Sequence, residues 1–172
     1  MWDLGWIVPG AGTVLPAGLT DDRPAIWISY VPVEDVATDI SNFAHLSDHR
    51  LVALPQFDFE ALKIGAGPAP IRIPEGWLLI HHGVSGQLIS GFDQQQRVHY
   101  GAGAMILSAD DPGKVLARTS EPLMSPDHPE EQVGTVSNVV FPTCIEETSA
   151  GTFVFYGMAD ARIGVARLDR VD

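Results

Sequence analysis

Two adjacent histidines, His81 and His82, lie in the apolar run of residues 76–82 (GWLLIHH). This pattern is typical of a β-strand, and neighbouring side chains on a strand point to opposite faces. The two rings are therefore a poor pair of ligands for one metal ion. The remaining histidines show no metal-ligand spacing either. They are His45, His49, His99 and His128. We therefore expect no metal site, and we interpret His81 as structural.

A lysine and a tyrosine could contact an anion or a sugar. Lys63 precedes the Gly/Pro-rich loop predicted over residues 65–70 (GAGPAP). It is either an anion ligand or a solvated residue at the end of a strand. Tyr100 combines a phenolic donor with an apolar body, which suits a sugar or anion contact. A tyrosine packed in the core is the equal alternative.

The acidic residues of the predicted loops have structural explanations beside catalytic ones. Glu130 and Glu131 lie in a predicted loop before Gly134, where two solvated acids are the simplest interpretation. Asp160 lies in a predicted hairpin turn, where an aspartate usually caps its own backbone. We interpret Asp110 and Asp111 as turn residues because a proline and a glycine follow them.

Composition and charge exclude several classes of protein. The length of 172 residues predicts one domain, and the net charge of -12 disfavours nucleic acid and anionic membranes as partners. Cys144 is the single cysteine, so no internal disulfide can form. Residues 1–19 lack the basic segment of a signal peptide, and their glycines and prolines argue against a membrane-spanning helix. We expect a cytoplasmic protein.

Short strands separated by turns dominate the sequence and predict an all-β fold. The predicted strands are residues 25–32, 51–54, 71–73, 76–82, 97–107, 115–118, 136–141, 152–156 and 163–168. The strands of residues 152–156 and 163–168 are expected to form a hairpin. Only residues 36–46 are predicted as a short helix. Turn signals at intervals of about ten residues are typical of a sandwich, a barrel or a propeller.

Four motifs occur in order along the chain. The first joins residues 62–71 (LKIGAGPAPI) to residues 75–84 (EGWLLIHHGV). The others are residues 100–112 (YGAGAMILSADDP), 130–142 (EEQVGTVSNVVFP) and 155–166 (FYGMADARIGVA). Together they resemble the motifs of glycoside hydrolase family 130, the β-mannoside phosphorylases and β-mannosidases.

This resemblance implies a five-bladed β-propeller with the sugar held at the central axis. The chain would be a partial propeller whose N-terminal blades are missing or degenerate. Residues 1–172 would form one domain. Residues 59–169 would supply the family-like C-terminal blades, and residues 1–58 the degenerate N-terminal part.

The resemblance also implies an activity. The family cleaves β-mannosides with inversion, either with phosphate, which gives mannose 1-phosphate, or with water. The expected partner is a β-mannoside oligosaccharide. No cofactor is expected, and inorganic phosphate would be the co-substrate.

The site residues follow from the same resemblance. Lys63, His82 and Tyr100 would line the subsite for phosphate or water, while Asp160 would contact the mannosyl hydroxyls. His82 could hydrogen-bond a sugar or phosphate, and a satisfied histidine near the core is the alternative. Phe141 is either a core residue or a platform for the sugar.

The front of the chain departs from the family. The family's E-D-P-R type segment, which carries the general acid, is matched only poorly by residues 21–24 (DDRP). Glu131 is then the one candidate for an acid at the site. The chain is expected to be an impaired enzyme, or else an inactive remnant that binds sugar or assembles with another chain. Open strand edges of an incomplete propeller favour a homo-oligomer or a complementing chain.

Overall fold

The computed structural model describes residues 3–5, 23–89 and 97–170, which form eleven β-strands and four short helical segments. The strands are β1 (Asp3–Gly5), β2 (Ile26–Val31), β3 (Ser47–Ala53), β4 (Lys63–Ala66), β5 (Ile71–Ile73), β6 (Gly76–Gly86), β7 (Val98–Leu107), β8 (Val115–Arg118), β9 (Val140–Thr148), β10 (Gly151–Met158) and β11 (Arg162–Leu168). The helical segments are α1 (Val33–Thr38), α2 (Pro129–Gln132) and the 3-10 segments Ile40–Ala44 and Asp58–Glu60. The predicted all-β class is confirmed. Within the described ranges, no helix has the length and hydrophobicity needed to cross a bilayer.

The strands form three antiparallel sheets. Sheet A has the order β1-β2-β3, and sheet C has the order β11-β10-β9. Sheet B has the order β4-β6-β7-β8, with β5 paired to β6. The long hairpin of β6 and β7 is the centre of sheet B and pairs over ten residues of each strand.

Sheet B lies between the other two sheets. On one face, Leu79 and Met105 pack with Ile26 of sheet A. On the other face, Ile80 packs with Val154 of sheet C. Because side chains alternate along β6, one strand supplies both interfaces. The core is therefore two apolar layers separated by sheet B.

Several predicted elements have different bounds in the structure. The helix expected over residues 36–46 is α1 followed by a 3-10 segment. The strand expected over residues 136–141 is wrong at its start, since β9 begins only at Val140. Asn138 has a φ of 60°, which interrupts an extended strand at that point. The loop expected over residues 65–70 is also wrong at its start, because β4 includes Gly65 and Ala66.

The structure covers only part of residues 1–19, for which the sequence argues against a membrane-spanning helix. Residues 3–5 form β1 and pair with β2. The rest of residues 1–19 lies outside the described residues.

Replacing Gly76 by alanine is expected to destabilise the fold. Gly76 has a φ of 152°, and a Cβ there would collide with the carbonyl oxygen of Leu107. We expect Gly76→Ala to lower the free energy of unfolding by ~1–3 kcal/mol. Urea denaturation at pH 7 measures it.

Gly151→Ala is the matched control. Gly151 also has a positive φ, 130°, but an added Cβ would meet only the Arg167 side chain at 3.6 Å. An equal loss in both variants would show that the crowding against Leu107 is not the cause.

Candidate functional site

The two histidines of β6 lie on opposite faces of sheet B. His82 pairs with Gly65 on β4, and its ring covers that glycine so closely that a Cβ there would collide with it. The His81 ring lies on the other face, against Phe59 and the Cα of Gly103. The alternation predicted from the sequence is confirmed. The two rings therefore belong to different environments.

The His82 side of sheet B carries a cluster of aromatic rings. The His82 ring lies 4.6 Å from the Phe141 ring and 6.0 Å from the Tyr100 ring, measured between centroids. Tyr100 and Phe141 are 6.3 Å apart. Lys63 Nζ lies 5.2 Å from the centroid of the Tyr100 ring. We call these four residues the ring cluster, and they bring together one cation, one imidazole and one phenol.

The ionisation of His82 is set by its surroundings. Burial, together with the positive charge of Lys63 and the proximity of His81, lowers the pKa of His82 to about 4. A hydrogen bond to the Ala66 backbone acts in the opposite direction, as expected of a ring N–H that donates to a carbonyl. Nδ1 of His82 has no hydrogen-bond partner in the described part of the chain. At neutral pH the ring is therefore neutral and offers one acceptor nitrogen.

Lys63 begins β4 and is half-buried beside the aromatic rings of the ring cluster. Across the described ranges, no carboxylate lies within salt-bridge distance of it. A lysine stacked on an aromatic ring keeps its full charge and its three N–H donors for another group. This arrangement can bind an anion.

Asp160 occupies the turn between β10 and β11. The turn is held to the preceding segment by Ala159, whose N–H donates to the Val139 oxygen at 3.0 Å. Val139 in turn forms a bridge with Tyr100. The backbone thus ties this turn to the ring cluster, although no hydrogen bond or ion pair joins the exposed Asp160 carboxylate to another residue of the described part.

Glu131 is 2% exposed and lies in α2. Its Oε1 accepts a hydrogen bond from the Tyr156 hydroxyl at 2.8 Å, and its Oε2 accepts one from the His128 N–H at 2.9 Å. Burial and this carboxylate raise the pKa of Tyr156 to about 12. Both oxygens of Glu131 are therefore engaged, which favours a structural role over the predicted catalytic one.

A buried network that the sequence patterns do not indicate lies on the His81 side of sheet B. Glu60 is fully buried and accepts hydrogen bonds from His81 Nε2 at 2.8 Å and from Arg118 Nη2 at 2.6 Å. Its second oxygen accepts from the N–H groups of Gln56 and Phe57. This network joins the 3-10 segment before β4 to β6 and β8. The Glu60 network lies on the opposite face of sheet B from Lys63 and His82, so it is not part of the ring cluster.

The ionisation of Glu60 reflects these partners. Burial acts to raise the pKa of Glu60, but the hydrogen bonds from His81, Gln56, Arg118 and Phe57 outweigh it and lower the pKa to about 2. The pKa of His81 is lowered by burial, against the opposing effect of Glu60. We therefore describe the network as a carboxylate paired with the Arg118 guanidinium and a neutral imidazole.

No group of three or more His, Cys, Asp or Glu side chains in the described residues is arranged to hold a metal ion. The ring cluster instead combines a cation with aromatic rings and neutral hydrogen-bonding groups. Such a set suits an anion and a sugar.

Comparison with known proteins assigns the family. Residues 34–171 match the family model of glycoside hydrolase family 130, described as beta-1,4-mannooligosaccharide phosphorylase. The chain belongs to glycoside hydrolase family 130. The four motifs and the ring cluster all lie within the matched residues. The resemblance inferred from the motifs is confirmed.

Relatives in family 130 are considerably longer than this chain. A 1,2-beta-oligomannan phosphorylase from Thermoanaerobacter sp. is 34% identical over 151 residues, which are 87% of this chain and 44% of the relative. A beta-1,4-mannooligosaccharide phosphorylase from Ruminococcus albus is 40% identical over 121 residues, which are 69% of this chain and 34% of that protein. The chain thus spans less than half the length of these relatives.

A solved structure of the family has the same arrangement of strands. The beta-1,2-mannobiose phosphorylase from Listeria innocua, in its complex with beta-1,2-mannobiose, superposes with a TM-score of 0.66 at 26% identity. The match covers 88% of this chain and 38% of that protein. This chain therefore has the fold of the corresponding part of a family 130 enzyme.

Removing the charge of Glu60 is expected to destabilise the protein in a pH-dependent way. The pKa of Glu60 is about 2 in the folded protein against an ordinary value of 4.5, so its contribution is present above pH 4.5 and is lost as the pH falls towards 2. We expect Glu60→Gln to lower the free energy of unfolding by roughly 3 kcal/mol at pH 7. The difference from the wild type should shrink below pH 4.5.

Urea denaturation at several pH values measures this difference, and Glu121→Gln, at an exposed position, is the control. A difference between wild type and Glu60→Gln that stays constant down to pH 2 would contradict the ionised Glu60.

The His82 ring is expected to titrate at about pH 4 in an NMR titration of the histidine side chains. Lys63→Met should raise the pKa of His82, because it removes a positive charge that opposes protonation. Lys114→Met, which removes an exposed lysine outside the ring cluster, is the control. A His82 pKa that does not respond to Lys63→Met would show that the two side chains are not close in solution.

Proposed function

We propose that the chain carries part of the active site of an inverting β-mannoside-cleaving enzyme. The preferred reaction is phosphorolysis, which gives mannose 1-phosphate, and hydrolysis is the alternative within the same family. The observation that carries the proposal is the ring cluster, because it places Lys63, His82 and Tyr100 together on one face of sheet B. Relatives named as phosphorylases of mannooligosaccharides support the substrate class.

Lys63 is the proposed ligand of the phosphate. A protein with a net charge of -12 repels an anion unless a local cation outweighs that field. Lys63 has no carboxylate partner among the described residues, so its charge is not neutralised by an ion pair. An N–H donor on a cation forms short, strong hydrogen bonds with phosphate oxygens.

His82 and Tyr100 are proposed to orient the phosphate and the sugar. The His82 ring is neutral, but its unpaired Nδ1 is buried, so it can accept a hydrogen bond from a hydroxyl of the sugar or of a protonated phosphate only if the side chains around it move. The Tyr100 hydroxyl can donate to an anion. Phe141, packed against both rings, offers an apolar face on which a sugar ring can stack. Asp160 is proposed to accept hydrogen bonds from mannosyl hydroxyls.

The chemistry requires a phosphate oxygen to bond to the anomeric carbon while the glycosidic bond breaks and a proton goes to the leaving oxygen. Lys63 would hold the phosphate on one side of the sugar. The proton donor would act from the other side. Glu131 stays a weak candidate for it, because both of its oxygens already accept hydrogen bonds, and a donor supplied by a partner chain is the alternative.

The partial propeller is part of the same proposal. Sheets A, B and C pack in series, and the path β4-β6-β7-β8 has the four strands of a propeller blade. We assign residues 59–169 to family-like C-terminal blades and residues 1–58 to a degenerate N-terminal part of a single domain.

Partners and location extend the proposal. The substrate is a β-mannoside oligosaccharide with inorganic phosphate as co-substrate, and no cofactor is proposed. The acidic charge disfavours nucleic acid and anionic membranes. The cytoplasmic location stays a prediction.

The activity test uses the pure chain with β-1,2- and β-1,4-linked mannobiose, with and without phosphate. Mannose 1-phosphate as the product would support phosphorolysis, and free mannose would support hydrolysis. The absence of both products, with protein that is folded by circular dichroism, would count against an enzyme formed by this chain alone.

Phosphate binding tests the role of Lys63 separately from turnover. We expect Lys63→Met to weaken phosphate binding by about ten- to a hundredfold, measured by titration calorimetry, because it removes a charged hydrogen-bond donor. Lys114→Met is the control for a general loss of positive charge. Equal effects of the two substitutions would overturn the assignment of Lys63.

A further inference from the structure

Lys63 lies where a strand ordinarily frays. It is the first residue of β4, a strand of 4 residues at one edge of sheet B. The ends of short edge strands open locally at little cost in free energy, because few contacts hold them. The Lys63 ammonium nevertheless lies 5.2 Å from the centroid of the Tyr100 ring. Its place in the ring cluster therefore depends on what holds the chain just before β4.

The Glu60 carboxylate, three residues before Lys63, holds that segment. Its Oε1 accepts hydrogen bonds from His81 on β6 at 2.8 Å and from Arg118 on β8 at 2.6 Å. Its Oε2 accepts from two backbone N–H groups of the preceding turn. A carboxylate offers about four lone-pair sites, and all of them are used here. Glu60 is therefore not free to bind a ligand, and its role lies in the contacts that it already makes.

The backbone between Glu60 and Lys63 follows β6 closely. Gly83 permits this approach, since a Cβ there would collide with the Glu60 side chain. The N–H of Leu62 donates to the Val84 oxygen at 2.8 Å, and Lys63 is paired with Val84 in the sheet. The segment is thus fixed to β6 at both of its ends, by the Glu60 side chain and by the first pairs of β4.

Stability alone does not explain a buried carboxylate at this place. Glu60 is 0% exposed, and the cost of desolvating a buried ion pair offsets much of its attraction. An apolar set of similar volume is often at least as stable. Charged hydrogen bonds add direction, because they are short and need alignment. The Glu60 network therefore specifies a position for the segment rather than only burying it.

His81 and His82 are consecutive residues of β6, so the anchor of the segment and the ring beside Lys63 share one stretch of backbone. We propose that Glu60 is a positioning residue for Lys63. Its hydrogen bond with His81 fixes the start of β4, and this holds the Lys63 ammonium in the ring cluster on the other face of the sheet. The functional meaning of this role rests on Lys63 as the proposed phosphate ligand. The position of Lys63 beside His82 is measurable without phosphate.

An NMR titration of His82 in Glu60→Gln shows whether Lys63 has moved. Loss of the Glu60 charge by itself lowers the pKa of a nearby histidine, whereas departure of the Lys63 ammonium raises the pKa of His82. We expect the pKa of His82 to rise by at least ~0.3 in Glu60→Gln. Adding Glu60→Gln to Lys63→Met should give no further rise. A pKa of His82 that falls or stays constant in Glu60→Gln, or a rise that persists beside Lys63→Met, overturns the positioning role.

Binding of inorganic phosphate is a second measurement in which the two effects have opposite signs. Removal of a negative charge favours an anion, so a charge effect alone would strengthen phosphate binding in Glu60→Gln. A displaced Lys63 weakens it instead, and we expect a loss of about three- to tenfold by titration calorimetry. Gly76→Ala is the matched control, because it is expected to destabilise β6 at the end away from Lys63. An equal loss in Gly76→Ala would show that lower stability is the cause, and would overturn the positioning role.

His81→Phe is the second variant, in case Glu60→Gln does not fold. It keeps an aromatic ring at position 81 but cannot donate a hydrogen bond to Glu60. We expect the same loss of phosphate binding, with no further loss beside Lys63→Met. Circular dichroism verifies that each variant is folded, and full binding by folded His81→Phe overturns the role of the Glu60–His81 bond. If Lys63→Met itself leaves phosphate binding unchanged, the proposed function of Lys63 fails, while the His82 titration still decides whether Glu60 positions it.

Discussion

The alternation of side chains along β6 is the constraint on which the rest of the structure depends. One strand supplies Leu79 to the interface with sheet A and His81 to the Glu60 network on the same face, while Ile80 and His82 lie on the face towards sheet C. A shift of one residue in the register of β6 would exchange both sets at once. The long pairing with β7 prevents that shift, so the ring cluster and the Glu60 network are fixed together.

Sequence reasoning predicted the local features well, because they follow from patterns within a few residues. The strand around His81 and His82 and the hairpin of β10 and β11 both depend on alternation and turn signals. The start of β9 was missed because Asn138, a residue type that tolerates the left-handed conformation, lies among β-branched residues that favour a strand. The Glu60–Arg118 pair was missed because 58 residues separate its partners.

The candidate site was predictable only through the family resemblance. Residue type and spacing alone supported a structural role for Tyr100 as well as a binding role, and they favoured a structural role for Lys63. The structure brings both beside His82 and Phe141, which single-sequence periodicity could not show because the residues come from four different strands. The acidic residues differ from this pattern. Glu131 is held by protein donors, and Asp160 is linked to the cluster only through the backbone.

The turn that carries Asp160 has a thermodynamic consequence of its own. Ala159 and Asp160 have φ angles of 49° and 50°, a conformation that costs an L-residue roughly 1–2 kcal/mol. The fully buried Ala159 and its hydrogen bonds hold the chain in that shape. Glycine would be the least costly residue at position 160. Stability alone therefore does not favour an aspartate at position 160.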